Sequence, residues 1–166
     1  ILDIVGNSAE LSTQVVLFQG YPKGDKMELI IQKMVELGVT KIVPVMTKRS
    51  IVKLDDKKAS KKVERFNAIA LAAAKQSKRG IIPTVEPVMS YKQAIEYAKT
   101  LDMNIIPYED AKGIEYSKEI ITSIKGKKSL GIFIGPEGGF SVEEVDMAKS
   151  IDAKVITLGH RILRTE

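Results

Sequence analysis

The stretch "SLGIFIGPEGGFSVEE" (129–144) decides the fold class. Leu130, Ile132, Phe133 and Ile134 make a nearly continuous apolar run. Such a run suits a strand covered on both faces, the pattern of parallel sheets flanked by helices. The run breaks at Gly135-Pro136-Glu137-Gly138-Gly139. Ser141, with Glu144 three residues on, then forms a capping box that starts a helix. Buried strand, glycine turn and capped helix together make one strand-to-helix unit.

Working outward, the same alternation recurs. "TQVVLFQG" (13–20) holds a strand at 14–18, and "YPKGDK" (21–26) is a loop. "MELIIQKMVELGV" (27–39) places Leu29, Ile30, Met34, Val35 and Leu37 near helical spacing, with Gly38 closing the helix. "KIVPVM" (41–46) is a strand. "SIVKLDDKKASKK" (50–62) reads as a polar connection. "KKVERFNAIALAAAKQSKRG" (61–80) reads as a strong helix with Val63, Phe66, Ile69, Ala70, Ala73 and Ala74 on one face. "IPTVEPV" (82–88) is a short extended piece, and Ser90 with Gln93 is a second capping box. "MNIIPYED" (103–110) is a strand and its loop, "SKEIITSI" (117–124) a weaker helix, and "KVITLG" (154–159) the last strand. Strands alternating with helices predict an α/β fold, a mostly parallel sheet with helices on both faces.

Composition bounds the function. The 166 residues suffice for one domain with a real core. Cysteine is absent and histidine occurs once, which excludes disulfides, thiolate zinc sites, cysteine nucleophiles and histidine-rich metal sites. The lack of cysteine fits a reducing cytoplasm. No window approaches a membrane span, and residues 1–20 lack the features of a signal peptide. The first residue is Ile1 rather than Met, as in a fragment or a chain without a leader. Net charge is +5, unevenly spread: residues 41–79 hold 12 Lys/Arg against three Asp/Glu, so that stretch nets +9 and the rest −4. Segregated positive charge suits a polyanion, nucleic acid first; the plainer reading is a solvated lysine-rich helix face.

In open α/β sheets, ligands bind beyond the carboxyl ends of the strands. Three such ends stand out: "PYED" (107–110), "GPEGGF" (135–140) and "GHRILRTE" (159–166). The glycines of the second allow close backbone approach, but it is neither a dinucleotide fingerprint nor a Walker loop. As a bare pattern it is equally a tight turn. In the third, Ile162 and Leu163 sit amid polar neighbours, as in a loop pinned to a core. Arg161 and Arg164 are able to pair with phosphate. His160 reads as a solvated loop residue.

The blocks "KGDKMELIIQKMVELGV" (23–39), "AAAKQSKR" (72–79), "FIGPEGGFS" (133–141) and "LGHRILRTE" (158–166), in this order, resemble the RsmE family of bacterial 16S rRNA uracil-N3 methyltransferases, within the SPOUT superfamily. Lys75 stands where the family more often has Glu. The resemblance implies a SPOUT domain at 12–166 whose C-terminal chain threads a trefoil knot. It also implies that residues 1–11 are the tail of an N-terminal PUA-like RNA-binding domain. In the family a final helix follows Glu166, so the knot is expected to be incomplete and the cofactor site open in this chain. The implied cofactor is S-adenosyl-L-methionine. Its contacts would come from backbone groups of Gly135, Gly138, Leu158, Gly159, Ile162 and Leu163, with Pro107 and Glu109 nearby. Arg164 is the catalytic candidate, holding the target phosphate or the uracil oxygens; its alternative role is an ion pair with Glu137 or Glu166. Glu137 and Glu166 are weak general-base candidates. Lys57, Lys58, Lys61, Lys62, Arg79 and Arg161 are the RNA-binding candidates. The implied partners are the 16S rRNA of the small ribosomal subunit and a second copy of the chain in a homodimer; no metal and no membrane are expected. Two rivals stand beside this reading: a non-catalytic RNA-binding module of the same fold, and a small-molecule enzyme using the glycine loop for a nucleotide phosphate.

Overall fold

The structure, a computed structural model, describes residues 10–51, 56–109, 113–159, 161 and 163–166, with residues 56 and 57 placed in a helix by their backbone. Among the sequence candidates, Ile162, His160, the Lys57 side chain and most of the 1–11 tail lie outside the described residues.

The elements run in chain order as β1 (Gln14–Gly20), α1 (Lys26–Glu36), β2 (Lys41–Met46), α2 (Asp56–Gln76), β3 (Thr84–Val85), β4 (Met89–Ser90), α3 (Tyr91–Ala98), β5 (Met103–Pro107), α4 (Ile114–Ser123), β6 (Ser129–Ile134), α5 (Val142–Lys149) and β7 (Lys154–Ile156). The strands form one seven-stranded sheet in the order β3-β2-β1-β6-β5-β7, with β4 pairing β2, and every pairing is parallel.

Two-sided burial follows from the period of two along each strand. Val15 and Leu17 of β1 enter a core with Ile30, Ile31 and Val35 of α1 and Phe66 and Ala70 of α2. Val16 and Phe18 enter the opposite core, with Ala94 and Ile95 of α3 and Val145 and Ala148 of α5. The register keeps like faces together: Leu17 lies beside Ile132, and Phe18 beside Phe133 with their rings stacked at 4.5 Å. Met103, Ile105 and Leu130 pack under Ile120 of α4 and Ile124 just after it, on the same face as α1 and α2. This is why the strands of the sheet centre carry no regular polar alternation.

Both capping boxes form. Ser90 accepts from the Gln93 amide and Ser141 from the Glu144 amide, and the glutamine and glutamate side chains reach back to the cap residues. Gly38 closes α1 with a positive φ of +105°.

Some boundaries differ from the sequence reading. Residues 56–60, read as a connection, are the first turns of α2. Their Lys, Ala and Ser have adequate helix propensity, but turns that face solvent carry no apolar stripe to mark them. In α1 the stripe runs through Met27, Ile30, Ile31 and Val35, leaving Leu29 and Leu37 exposed (45% and 68%). β1 continues through Gln19 and Gly20, both buried.

Arg79, an RNA-binding candidate by sequence, is instead structural. Its side chain is 2% exposed and pairs with Glu10 at 2.7 Å. Its Nη1 also donates to the carbonyls of Val35 and Val39. Glu10 accepts from the Gly80 amide as well, and Leu11 covers Gly38, so this lead-in is tied to the α/β body. A guanidinium so enclosed and so fully used has no face left for RNA.

Removing the buried guanidinium leaves the Val35 and Val39 carbonyls without their donor and the partly exposed Glu10 without its ion partner. Arg79→Ala is therefore expected to destabilise the fold by about 2 kcal/mol in urea unfolding. Hydrogen bonding from Arg79 holds the Glu10 carboxyl below its ordinary 4.5. The stability from the Glu10 side is thus complete above that pH and lost as pH falls through the lowered value. An Arg79→Ala variant as stable as the parent would refute the assignment.

Candidate functional site

All strands being parallel, their carboxyl ends share one rim of the sheet, where β1 and β6 run side by side at its centre. Their following helices, α1 and α5, leave to opposite faces. That divergence makes a topological switch point, the usual ligand crevice of such sheets. Here the chain itself fills it. Gln19, 1% exposed at the end of β1, donates from Nε2 to the Thr165 hydroxyl at 3.0 Å. Thr165 in turn donates to the Gly135 carbonyl, just past β6, at 2.6 Å. The terminal segment therefore leaves edge strand β7 and returns across the rim, past β5, to the centre.

The glycine loop is shaped by close approaches. A Cβ on Gly20 would lie 2.5 Å from Pro136 Cδ, so the end of β1 and the loop meet only because that residue is glycine. Gly139 adopts φ +67° and donates to the Pro136 carbonyl at 2.8 Å, curling the loop back toward Gly135.

Charge locks the arrangement. Lys26, in the first turn of α1, bridges Glu137 and Glu166, each at 3.2 Å. Burial pushes the Glu137 carboxyl up, but amide hydrogen bonds, including that from Lys23, and the Lys26 ammonium outweigh it and leave it lowered. Its own amide and Lys26 likewise lower the Glu166 carboxyl, and Glu137, then Glu166, raise Lys26. Both carboxylates are thereby weakened as proton acceptors, which argues against either as a general base.

On the other flank, the β7 rim is open. Thr157 closes a small ring with Gly159, its hydroxyl accepting from the Gly159 amide at 3.1 Å. The Thr157 amide donates to Ser117 of α4 at 2.9 Å. Leu158 and Leu163 are exposed apolar side chains (56% and 58%). Pro107 pairs in register with Ile156, and the Tyr108 amide donates to the Ile156 carbonyl, so the loops after β5 and β7 start together.

The rim thus gathers Pro107, Gly135, Gly138, Leu158, Gly159 and Leu163, with Glu109 two residues past β5. Arg161 is exposed, and Arg164 is 86% exposed and 3.9 Å from Glu166. Lys58, Lys61 and Lys62 lie in the early turns of α2, at the same rim as the carboxyl end of β2. Two surface cavities lie elsewhere: about 520 Å³ over α3, beside Met89 and Tyr97, and about 480 Å³ between α5 and β7, beside Tyr108, Val145 and Ala153. Among the described residues, no group of three His, Cys, Asp or Glu is placed to hold a metal, and no helix is long and apolar enough to cross a membrane.

A family model of the RNA methyltransferase domain matches residues 9–166. The chain belongs to that family. It is 41% identical to Ribosomal RNA small subunit methyltransferase E of Bacillus subtilis (strain 168), a match that takes in 100% of this chain and 66% of that protein. It is also similar to the crystal structure of a Ribosomal RNA small subunit methyltransferase E from Neisseria gonorrhoeae bound to S-adenosyl methionine. There the TM-score is 0.79 at 33% identity, covering 94% of this chain and 62% of that one. The fold, though not more, is shared with a TrmH/SpoU tRNA modifying enzyme from A. aeolicus (TM-score 0.53, 13% identity). The sheet of this RNA methyltransferase domain thus shares its fold with that enzyme. The chain spans about two thirds of the length of the relative from B. subtilis.

Sequence reasoning passed over Gln19, Lys26, Arg49 and Thr165. Gln19 alone left a trace, as an isolated polar residue in an otherwise apolar strand.

The switch-point latch has a measurable signature. Thr165→Val is expected to cost about 1 kcal/mol and to speed amide exchange around Thr165. The Lys26 pairs hold fully between pH 4.5, the ordinary carboxyl value, and 10.5, the ordinary lysine value. Below that window they fail as pH drops through the lowered carboxyl values; above it, as pH passes the raised lysine value. Exchange at Thr165 that ignores both the substitution and acid would refute the latch.

Proposed function

We propose that this chain is the methyl-transferring part of an enzyme that methylates N3 of a uridine in the 16S rRNA of the small ribosomal subunit, using S-adenosyl-L-methionine. The observation that carries the reading is the gathering of three loops, after β5, β6 and β7, on one rim beside exposed arginines and lysines. The family membership and the S-adenosyl methionine-bound relative support it.

The residues fit such a cofactor. A Cβ on Gly159 would meet nothing, so the space beside it is open, and Leu158 and Leu163 offer exposed apolar surface for an adenine ring. Pro107, Glu109, Gly135, Gly138 and Ile162 complete the proposed set. The Gly135 carbonyl is engaged by Thr165 and the Gly138 carbonyl by Arg49, so contacts from those residues use the remaining lone pairs or the amides. When bound, the cofactor supplies an electrophilic methyl on a sulfonium.

The chain's own task is to orient and to stabilise charge. Uridine N3 is a weakly acidic imide nitrogen, so its proton would pass to solvent water as the methyl group is accepted, and the chain's part is to stabilise the uracil charge. Arg164, exposed beside the loop that Thr165 anchors, holds the target phosphate or the uracil oxygens. Lys57, Lys58, Lys61, Lys62 and Arg161 attract the RNA backbone. Four lysines in the early turns of α2 run against the helix macrodipole, which favours anions there. That arrangement is a cost to stability and a gain for binding a polyanion. In this reading residues 1–11 end a PUA-like domain, residues 12–166 form the catalytic domain, and the enzyme works as a cytoplasmic homodimer whose final helix completes the knot.

In the full-length protein, Arg164→Ala is expected to abolish methylation of small subunits from a strain lacking the gene, while calorimetry still finds S-adenosylmethionine bound. A retained single-turnover rate would remove Arg164 from its role. Charge reversal at Lys58, Lys61 and Lys62 is expected to flatten the log–log salt dependence of RNA binding by about two. An unchanged slope would leave that face merely solvated.

A further inference from the structure

We propose that Arg49 is a phosphodiester-binding residue of the RNA site, gripping the backbone next to the nucleotide that receives the methyl group. The inference rests on the function proposed above and adds a residue to it.

Arg49 sits in the turn that follows β2. Thr47 and Ser50 tie that turn: their hydroxyls are 2.9 Å apart, and the Ser50 amide donates to the Thr47 carbonyl at 3.1 Å. The turn is then fastened to α5. Glu144, a buried carboxylate, accepts from the Lys48 amide at 2.7 Å while its other oxygen accepts from the Ser141 amide at 2.8 Å. Arg49 leans on the glycine loop: its Nη1 donates to the Gly138 carbonyl at 2.8 Å. A Cβ on Gly138 would lie 3.2 Å from Arg49 Cβ and 3.6 Å from its Cδ, so this glycine makes room for the arginine stem.

One guanidinium proton is thus spent on aiming the group, and Arg49 remains solvent-exposed. Preorganisation of this kind lowers the entropy cost of binding a planar, bidentate anion. The neighbouring charges leave the Arg49 guanidinium available. Lys48 is offset by Glu143 at 3.3 Å, and Glu144 is consumed by two backbone amides. Farther along the basic stretch, Lys41 pairs with Glu86, Arg65 with Glu28 and Arg79 with Glu10. Among the described residues, Arg49 is paired with no carboxylate. It lies against the glycine loop at Gly138, while Arg164 lies next in sequence to Thr165, which is fastened to Gly135 of the same loop. Two arginines thus flank the loop, as suits a strand of RNA laid across it.

The competing view is that Arg49 only steadies the loop. Arg49→Gln and Arg49→Lys separate the two, because glutamine keeps a donor for the Gly138 carbonyl without the charge, and lysine keeps the charge without the fork. The readouts, on full-length protein and small subunits carrying unmethylated 16S rRNA, are RNA affinity against salt and calorimetric affinity for S-adenosylmethionine. Arg49→Gln is expected to weaken RNA binding about tenfold and to lower the salt slope by roughly one, with cofactor affinity within about twofold of the parent. Arg49→Lys is expected to keep the slope with a smaller loss of affinity. A full slope in Arg49→Gln, or a loss confined to cofactor affinity, would overturn the proposal. The slope is read without turnover, so absent methylation by the parent protein would count against the proposed function and not against Arg49.

Discussion

A buried amide must find hydrogen-bond partners, and much of the site follows from how Gln19 finds them. Its strand ends at the sheet centre, where helices diverge to opposite faces and its Nε2 donates to the Gly20 carbonyl at 3.0 Å. The returning chain supplies Thr165, which also satisfies Gly135. The crevice that a doubly wound sheet usually leaves for a ligand is closed by the protein's own backbone. Among the described residues, exposed surface on this rim lies instead beyond the β7 end, at Leu158, Gly159 and Leu163.

The same return places charge. Arg164 and Glu166 flank Thr165, so fastening one hydroxyl positions a guanidinium on one side and a carboxylate on the other. Lys26 then links that carboxylate to Glu137 of the glycine loop. Three distant stretches, the start of α1, the loop after β6 and the terminal segment, become one surface through a single ammonium group.

Much of this was legible in the sequence, for identifiable reasons. The run at 129–134 and the two capping boxes are local signals, and the structure reproduces them where local chemistry dictates. The basic stretch 41–79 was legible only as a sum. Carboxylates remote in sequence, Glu10, Glu28, Glu86 and Glu143, neutralise part of it, and no linear count reveals such pairs. Arg79 is the sharpest case: one more cation in the sequence, but a buried strut in the fold. Arg49 is the reverse, an ordinary arginine until its turn is seen against Gly138. The family resemblance supplied an expectation for the loop after β7, but the latch through Gln19 needed coordinates.

The pairing of β1 with β6 also has a kinetic side. Gln14 lies beside Ser129 and Gln19 beside Ile134, while β1 and β2 are joined through a single helix. The sheet thus divides into an early half, β1 to β4 with α1 and α2, and a late half built on β5, β6 and β7. Closing so long a loop is entropically slow. During synthesis, the flank of β1 that will receive β6 stays unpaired until most of the chain has emerged. The Thr165 latch forms only after that seam has closed, since it needs Gln19 from one half and Gly135 from the other.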